Sequence, residues 1–133
     1  MQALQLYDGK FLTILWDESM RLIGIDWKES TATMTDEDFK ADLILFAGYV
    51  EQQKAIGILA DVTHFRHQIG PDVQAWRVRN ISRRYSAAGV RRFAFLLPGG
   101  AQIPPMRNKS APGEEFLTQG FTRQNEAVDW LIA

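Results

Sequence analysis

Three side chains that stand close together in the sequence belong to types that do chemistry: Asp61, His64 and His67, spaced by three. They follow the apolar run Ile56 to Val62, which reads as a buried strand. The carboxyl ends of strands are where open α/β sheets bind ligands. A carboxylate with two imidazoles offers the donors that zinc takes, and equally an acid–base pair. No third strong ligand lies nearby in the sequence, and the H-x-x-H spacing falls outside a predicted helix. The local reading therefore leads. Asp61 caps backbone groups beyond the strand, Thr63 adds a hydroxyl there, and the histidines are surface loop residues.

Other reactive types lack a context. Thr63, Ser82, Ser86 and Ser110 are the candidate nucleophiles, and none stands in a G-x-S-x-G or S-x-x-K setting. There is no Walker loop and no G-x-G-x-x-G, and Gly99-Gly100 alone is too little for a phosphate cradle. Cysteine is absent, which removes thiolate ligands and thiol nucleophiles. The expectation is a protein that is not an enzyme and carries no cofactor or metal.

A second cluster is basic. Arg77 and Arg84 are seven residues apart and Arg79 and Arg83 four, so on a regular helix each pair shares a face. Trp76 stands beside the Arg79/Arg83 face. Tryptophan with arginines suits an interface anchor or a phosphate contact; the plainer reading is a solvated basic helix with Trp76 packed under a loop. Charge is unevenly spread. Residues 1–61 hold eleven acids against five bases, and residues 62–133 five acids against ten bases. The net charge of −1 speaks against nucleic-acid binding.

The elements that must hold these residues follow from periodicity. Ala3 to Tyr7, Phe11 to Trp16 and Arg21 to Trp27 read as an antiparallel opening, with an edge strand and a turn at Asp17-Glu18-Ser19-Met20. Thr35 to Asp38 carries a helix cap and first-turn acids, and Phe39, Leu43, Phe46, Ala47 and Val50 follow at helical spacing to about Lys54. Pro71 starts a second helix that Gly89 ends, with Val78, Ile81, Tyr85 and Ala88 as its buried stripe. Val90 to Leu97 is the next strand. Pro98 to Gly113 is a long connection rich in Pro, Gly and polar residues, of the kind that is either a lid or disordered, with room for a short helix inside it. Thr118 to Phe121 is a last short strand and Gln124 to Ile132 a final helix. Trp16 and Trp27 are core residues or line an apolar pocket. The fold class is α/β: a mixed sheet with an antiparallel opening hairpin and parallel βαβαβ strands, covered by helices.

The chain of 133 residues reads as a single domain over 1–133. Its 46% apolar and 23% charged residues are an ordinary globular balance. No apolar run is long enough for a membrane span. Asp8 and Lys10 interrupt the early apolar residues, so no secretory signal is expected and the two N-x-S sequons read as chance. Together with the absence of cysteine this suggests the cytoplasm.

Taken together, Ile58-Leu59-Ala60-Asp61-Val62-Thr63 before a helix, the strand Val90 to Leu97, and the tail Phe121…Glu126-Ala127…Trp130-Leu131 resemble the SpoIIAA-like family, which is related to STAS domains and also described as STAS/SEC14-like. The resemblance covers nearly the whole chain. It implies a bacterial, cytoplasmic, non-enzymatic module with a mixed sheet, binding a protein partner or a small ligand. One departure stands out. STAS antagonists of anti-sigma factors carry a phosphorylatable serine at the start of the helix after this strand, whereas Gln68-Ile69-Gly70-Pro71 occupies that region here. The phosphoserine switch does not carry over.

Two functional readings follow. The first is a regulatory module that docks a protein partner, a homodimer included, through Asp61, Thr63, His64, His67, Trp76, Arg79 and Arg83. The second is a carrier or sensor of a small lipophilic ligand, gated by the 98–113 loop.

Overall fold

The computed structural model describes residues 2–103 and 114–133 of the chain. Six strands form one sheet in the order β1-β2-β3-β4-β5-β6. β1 (Leu4–Asp8), β2 (Leu12–Asp17) and β3 (Leu22–Trp27) pair antiparallel; β4 (Gly57–Asp61), β5 (Arg92–Leu96) and β6 (Leu117–Phe121) extend the sheet in parallel from β3. This is the mixed α/β sheet that the periodicity predicts. The expected lid falls largely on residues 104–113, outside the described residues.

Strand geometry sends alternate side chains to opposite faces. On one face Leu12, Ile14, Trp16, Ile23, Ile25, Ile58, Ala60 and Phe93 meet the long helices; on the other, Leu22, Leu59, Ala94 and Leu96 meet α4 (Gln124–Ile132). From Gly57 to Ala60, β4 is apolar on both faces because both are covered there, as a parallel central strand requires. α1 (Asp36–Gln53) connects β3 to β4, and the helical run 71–88 connects β4 to β5. Both steps move the same way across the sheet, so crossovers of one hand put both helices on one face.

α1 begins as its sequence dictates. The Asp38 amide donates to Thr35 Oγ1 at 3.1 Å and the Thr35 amide donates to Asp38 Oδ2 at 2.9 Å, a complete capping box. The second helical run starts at Gly70-Pro71 and is not uniform. α2 (Pro71–Arg77) passes into a π-helical turn (Val78–Ser82) before α3 (Arg83–Ala88). Gly89 closes it at φ 103°, a conformation strained for any residue with a Cβ.

The far face is covered unevenly. α4 packs over β4, β5 and β6, while the antiparallel half carries no helix among the described residues. Across that half, Asp8, Thr13, Asp26 and Asp61 stand opposite one another on adjacent strands. Burial raises the Asp26 pKa above the usual carboxylate range, and the Asp61 charge adds to the rise.

One polar group on the helix side is poorly placed. Asp42 on α1 has an oxygen, Oδ2, sealed from solvent without a hydrogen-bond partner. Burial, with a smaller push from Asp38 one turn earlier, raises its pKa to about 6. A carboxyl whose folded pKa lies above its unfolded value favours the fold when protonated. That contribution is complete below about pH 4 and is lost as pH rises through about 6. Asp42→Asn is therefore expected to stabilise the protein at pH 7.5 by about 1 kcal/mol, allowing for the group's partial exposure. The gain should vanish at pH 4, as read from urea denaturation at both pH values.

Candidate functional site

Beneath the helices, at the carboxyl ends of β3, β4 and β5, the described residues line a half-open cavity of about 250 Å³. Its floor is the sheet. Ala60 on β4 stands in register between Ile25 and Phe95, and its methyl group leaves space that larger neighbours do not fill. Phe39, Leu43 and Phe46 of α1 form one wall, and Gln74, Arg77 and Tyr85 of the second helical run form another.

The segment 62–70 closes the end nearest Trp27. Phe65 sets its ring edge-on to Trp27 at 5.2 Å and tilts against Phe39 at 5.9 Å. Trp27 stacks on Phe39 at 5.6 Å. The backbone is tied down as well, because the Arg66 amide donates to the hydroxyl of fully buried Thr31 at 2.8 Å. Trp16 and Trp27 are both core residues as expected, and Trp27 also lines the cavity.

The residues singled out in the sequence are not brought together. Asp61 lies on the opposite sheet face from the cavity, since Ala60 faces the helices and strand side chains alternate. Its Oδ1 accepts the Thr63 amide at 3.0 Å and the Thr63 hydroxyl at 2.6 Å, the local cap expected of it. His64 is exposed, with Nδ1 3.5 Å from Glu29. His67 departs from the surface-loop expectation. Its side chain is only 14% exposed, its Nε2 lies 2.8 Å from Asp36 Oδ1, and it leans on Phe39 and Phe65. That partner stands 31 residues earlier, at the start of α1. Among the described residues no three His, Asp or Glu side chains gather to hold a metal ion.

The arginine pairing also changes, and the π turn is the reason. In an α-helix each residue advances about 100°, so residues seven apart nearly superpose and residues eight apart diverge by about 80°. A π turn absorbs one extra residue. It therefore sets Tyr85 in line with Arg77, and both line the cavity. Arg84 is rotated away instead and forms a two-pronged pair with Glu51 of α1, at 2.9 and 2.5 Å. The buried stripe shifts accordingly to Val73, Ile81, Ser82 and Tyr85, with Val78 and Ala88 only half-buried. Ser82, a nominal nucleophile, is buried and donates to Glu114 at 3.0 Å.

Trp76 packs against the helix-side core. It is half-buried with the Lys40 ammonium 5.6 Å from its ring centre, which ties it to α1, while Arg79 and Arg83 are exposed. The wall residues Gln74 and Tyr85 escape a reading by residue type, because a glutamine and a stripe tyrosine carry no motif. Only the turn that aligns Tyr85 with Arg77 gives them a common direction.

If segment 62–70 is pinned as described, the two histidines behave differently. His67→Ala should cost about 1 kcal/mol of unfolding free energy through loss of the Asp36 contact and ring packing. His64→Ala should change it by less than about 0.5 kcal/mol. Paired chemical-denaturation curves check this. No family model, no curated protein and no solved structure matches the chain, so the chemistry of the site rests on its own residues.

Proposed function

We propose that this chain is a non-enzymatic binding module that takes a small lipophilic ligand into the cavity beneath α1 and the 71–88 helical run. The observation that carries the reading is the cavity itself: about 250 Å³ at the strand ends, walled mainly by aromatic and aliphatic side chains. A void of that kind loses dispersion contacts when empty, and an apolar guest restores them. An apolar cavity of roughly 150 Å³ holds benzene, so this one suits a guest of about ten non-hydrogen atoms.

The docking reading keeps one supporting observation. Arg79 and Arg83 are exposed and, among the described residues, have no ion-pair partner. A regulatory protein partner would use that face, and Arg79→Ala with Arg83→Ala would then abolish its capture.

Filling the floor tests the cavity reading. Butylbenzene should raise the Tm of the wild-type protein by a few degrees through mass action, about 2–4 °C at saturating concentration. Ala60→Leu places a larger side chain between Ile25 and Phe95 and should abolish that shift while the circular dichroism spectrum stays native. An equal shift in both proteins would place the guest elsewhere.

A further inference from the structure

Deep in the mainly apolar wall of the cavity stands a hydroxyl with nothing to donate to. Tyr85 is 3% exposed and borders the cavity. Its hydroxyl makes no hydrogen bond to any described residue. Nor is it sealed in protein, for among the described residues only Asp42 Oδ2 is both sealed and unpartnered. The open surface of the hydroxyl therefore lies on the cavity side. A buried hydroxyl without a partner is costly, and a guest that accepts its proton removes the cost.

This donor is fixed in place and in charge. Phe46 meets the Tyr85 ring edge-on at 5.9 Å, and Phe93 and Phe116 tilt against it at 6.0 and 6.3 Å. Three aromatic neighbours set the position of the phenol before a guest arrives, so little ordering is left for binding to supply. Burial pushes the phenol pKa well above its ordinary range, against smaller opposite pulls from Arg77 and Arg84, so the hydroxyl keeps its proton.

Arg77 and Gln74 are already engaged with each other on the same wall. Arg77 Nε donates to Gln74 Oε1 at 2.8 Å, which occupies that acceptor and makes the arginine part of the wall. The phenol is left for the guest to answer. A hydrocarbon would leave it unanswered, and a carboxylate would give up its hydration to meet a neutral donor. An uncharged carbonyl oxygen accepts the proton at a small cost in lost hydration.

We infer that the natural guest is an uncharged lipophilic carbonyl compound, with an apolar body of about ten non-hydrogen atoms on the aromatic wall and its carbonyl oxygen accepting from the Tyr85 hydroxyl. This deepens the lipophilic-ligand reading and rests on it.

Two probes of one shape separate the two claims: benzylacetone, and isopentylbenzene, in which a methyl-bearing carbon replaces the carbonyl group. Equilibrium dialysis with gas-chromatographic detection gives their affinities for the wild-type protein and for Tyr85→Phe. The substitution should weaken the ketone about fivefold, the loss of one neutral hydrogen bond, while the hydrocarbon holds its affinity or gains. The wild type should bind hydrocinnamate, the anion of similar shape, at least tenfold more weakly than the ketone. Ketone affinity unchanged by Tyr85→Phe, or hydrocinnamate bound more tightly than the ketone, would overturn the carbonyl assignment and leave the cavity reading standing. Failure of both benzylacetone and isopentylbenzene to bind the wild type would overturn both readings. Should Tyr85→Phe fail to fold, the infrared spectrum of the wild-type complex decides. The carbonyl stretch of bound benzylacetone should lie below its position in hexane, and a stretch at the hexane position would overturn the assignment.

Discussion

Everything in this molecule is arranged around the parallel pairing of β3, β4 and β5. A parallel pair needs a long crossover, and crossovers of one hand that step in one direction must land on one face. That is why α1 and the 71–88 run lie side by side over the same strands and why Phe46, Ile81 and Tyr85 can form one apolar layer with Ile58 and Phe93. It is also why the strands keep apolar side chains on the far face, where α4 returns over Leu59, Ala94 and Leu96. The cavity is a by-product of the same packing. Two helices over a sheet fill the space between them only if each strand position has the right volume, and Ala60 is short by several methylenes beside Ile25 and Phe95.

The π turn then decides what that space can recognise. Were the same residues wound as a regular α-helix, Arg77 and Arg84 would share a side and Tyr85 would drift toward the flank. With the widened turn, adjacent Ile81 and Ser82 are both buried, Arg84 reaches α1 and clasps Glu51, and Arg77 stays with the tyrosine. One local irregularity thus separates a structural arginine from one that borders the void.

Much of the architecture is legible in the residues themselves. The capping box at Thr35 and Asp38, the Gly70-Pro71 start and the Gly89 stop each carry a local physical signal, and each stands where that signal places it. Strand order follows from the short connections and the crossover rule. The site is less legible. Asp61, His64 and His67 look like a constellation because they are close in sequence, but the two-residue period of the strand turns Asp61 away and a contact 31 residues distant claims His67. The π turn has no compositional mark, so the common direction of Arg77 and Tyr85 is visible only in three dimensions. The same holds for the missing volume above Ala60, which depends on which side chains stand on either side of it in the sheet.

The half of the far face that no helix covers among the described residues has its own consequence. A bare patch of sheet is a ready platform for a second sheet to lie on, and stacked sheets lead to aggregates. Here Asp8, Asp26 and Asp61 stand on that platform in one cross-strand row. Asp8 is held by the Lys28 ammonium at 2.7 Å, so Asp26 and Asp61 are the carboxylates of this row that a second copy would meet. The like charge that Asp26 already feels from Asp61 within one molecule works against a second sheet settling on this surface.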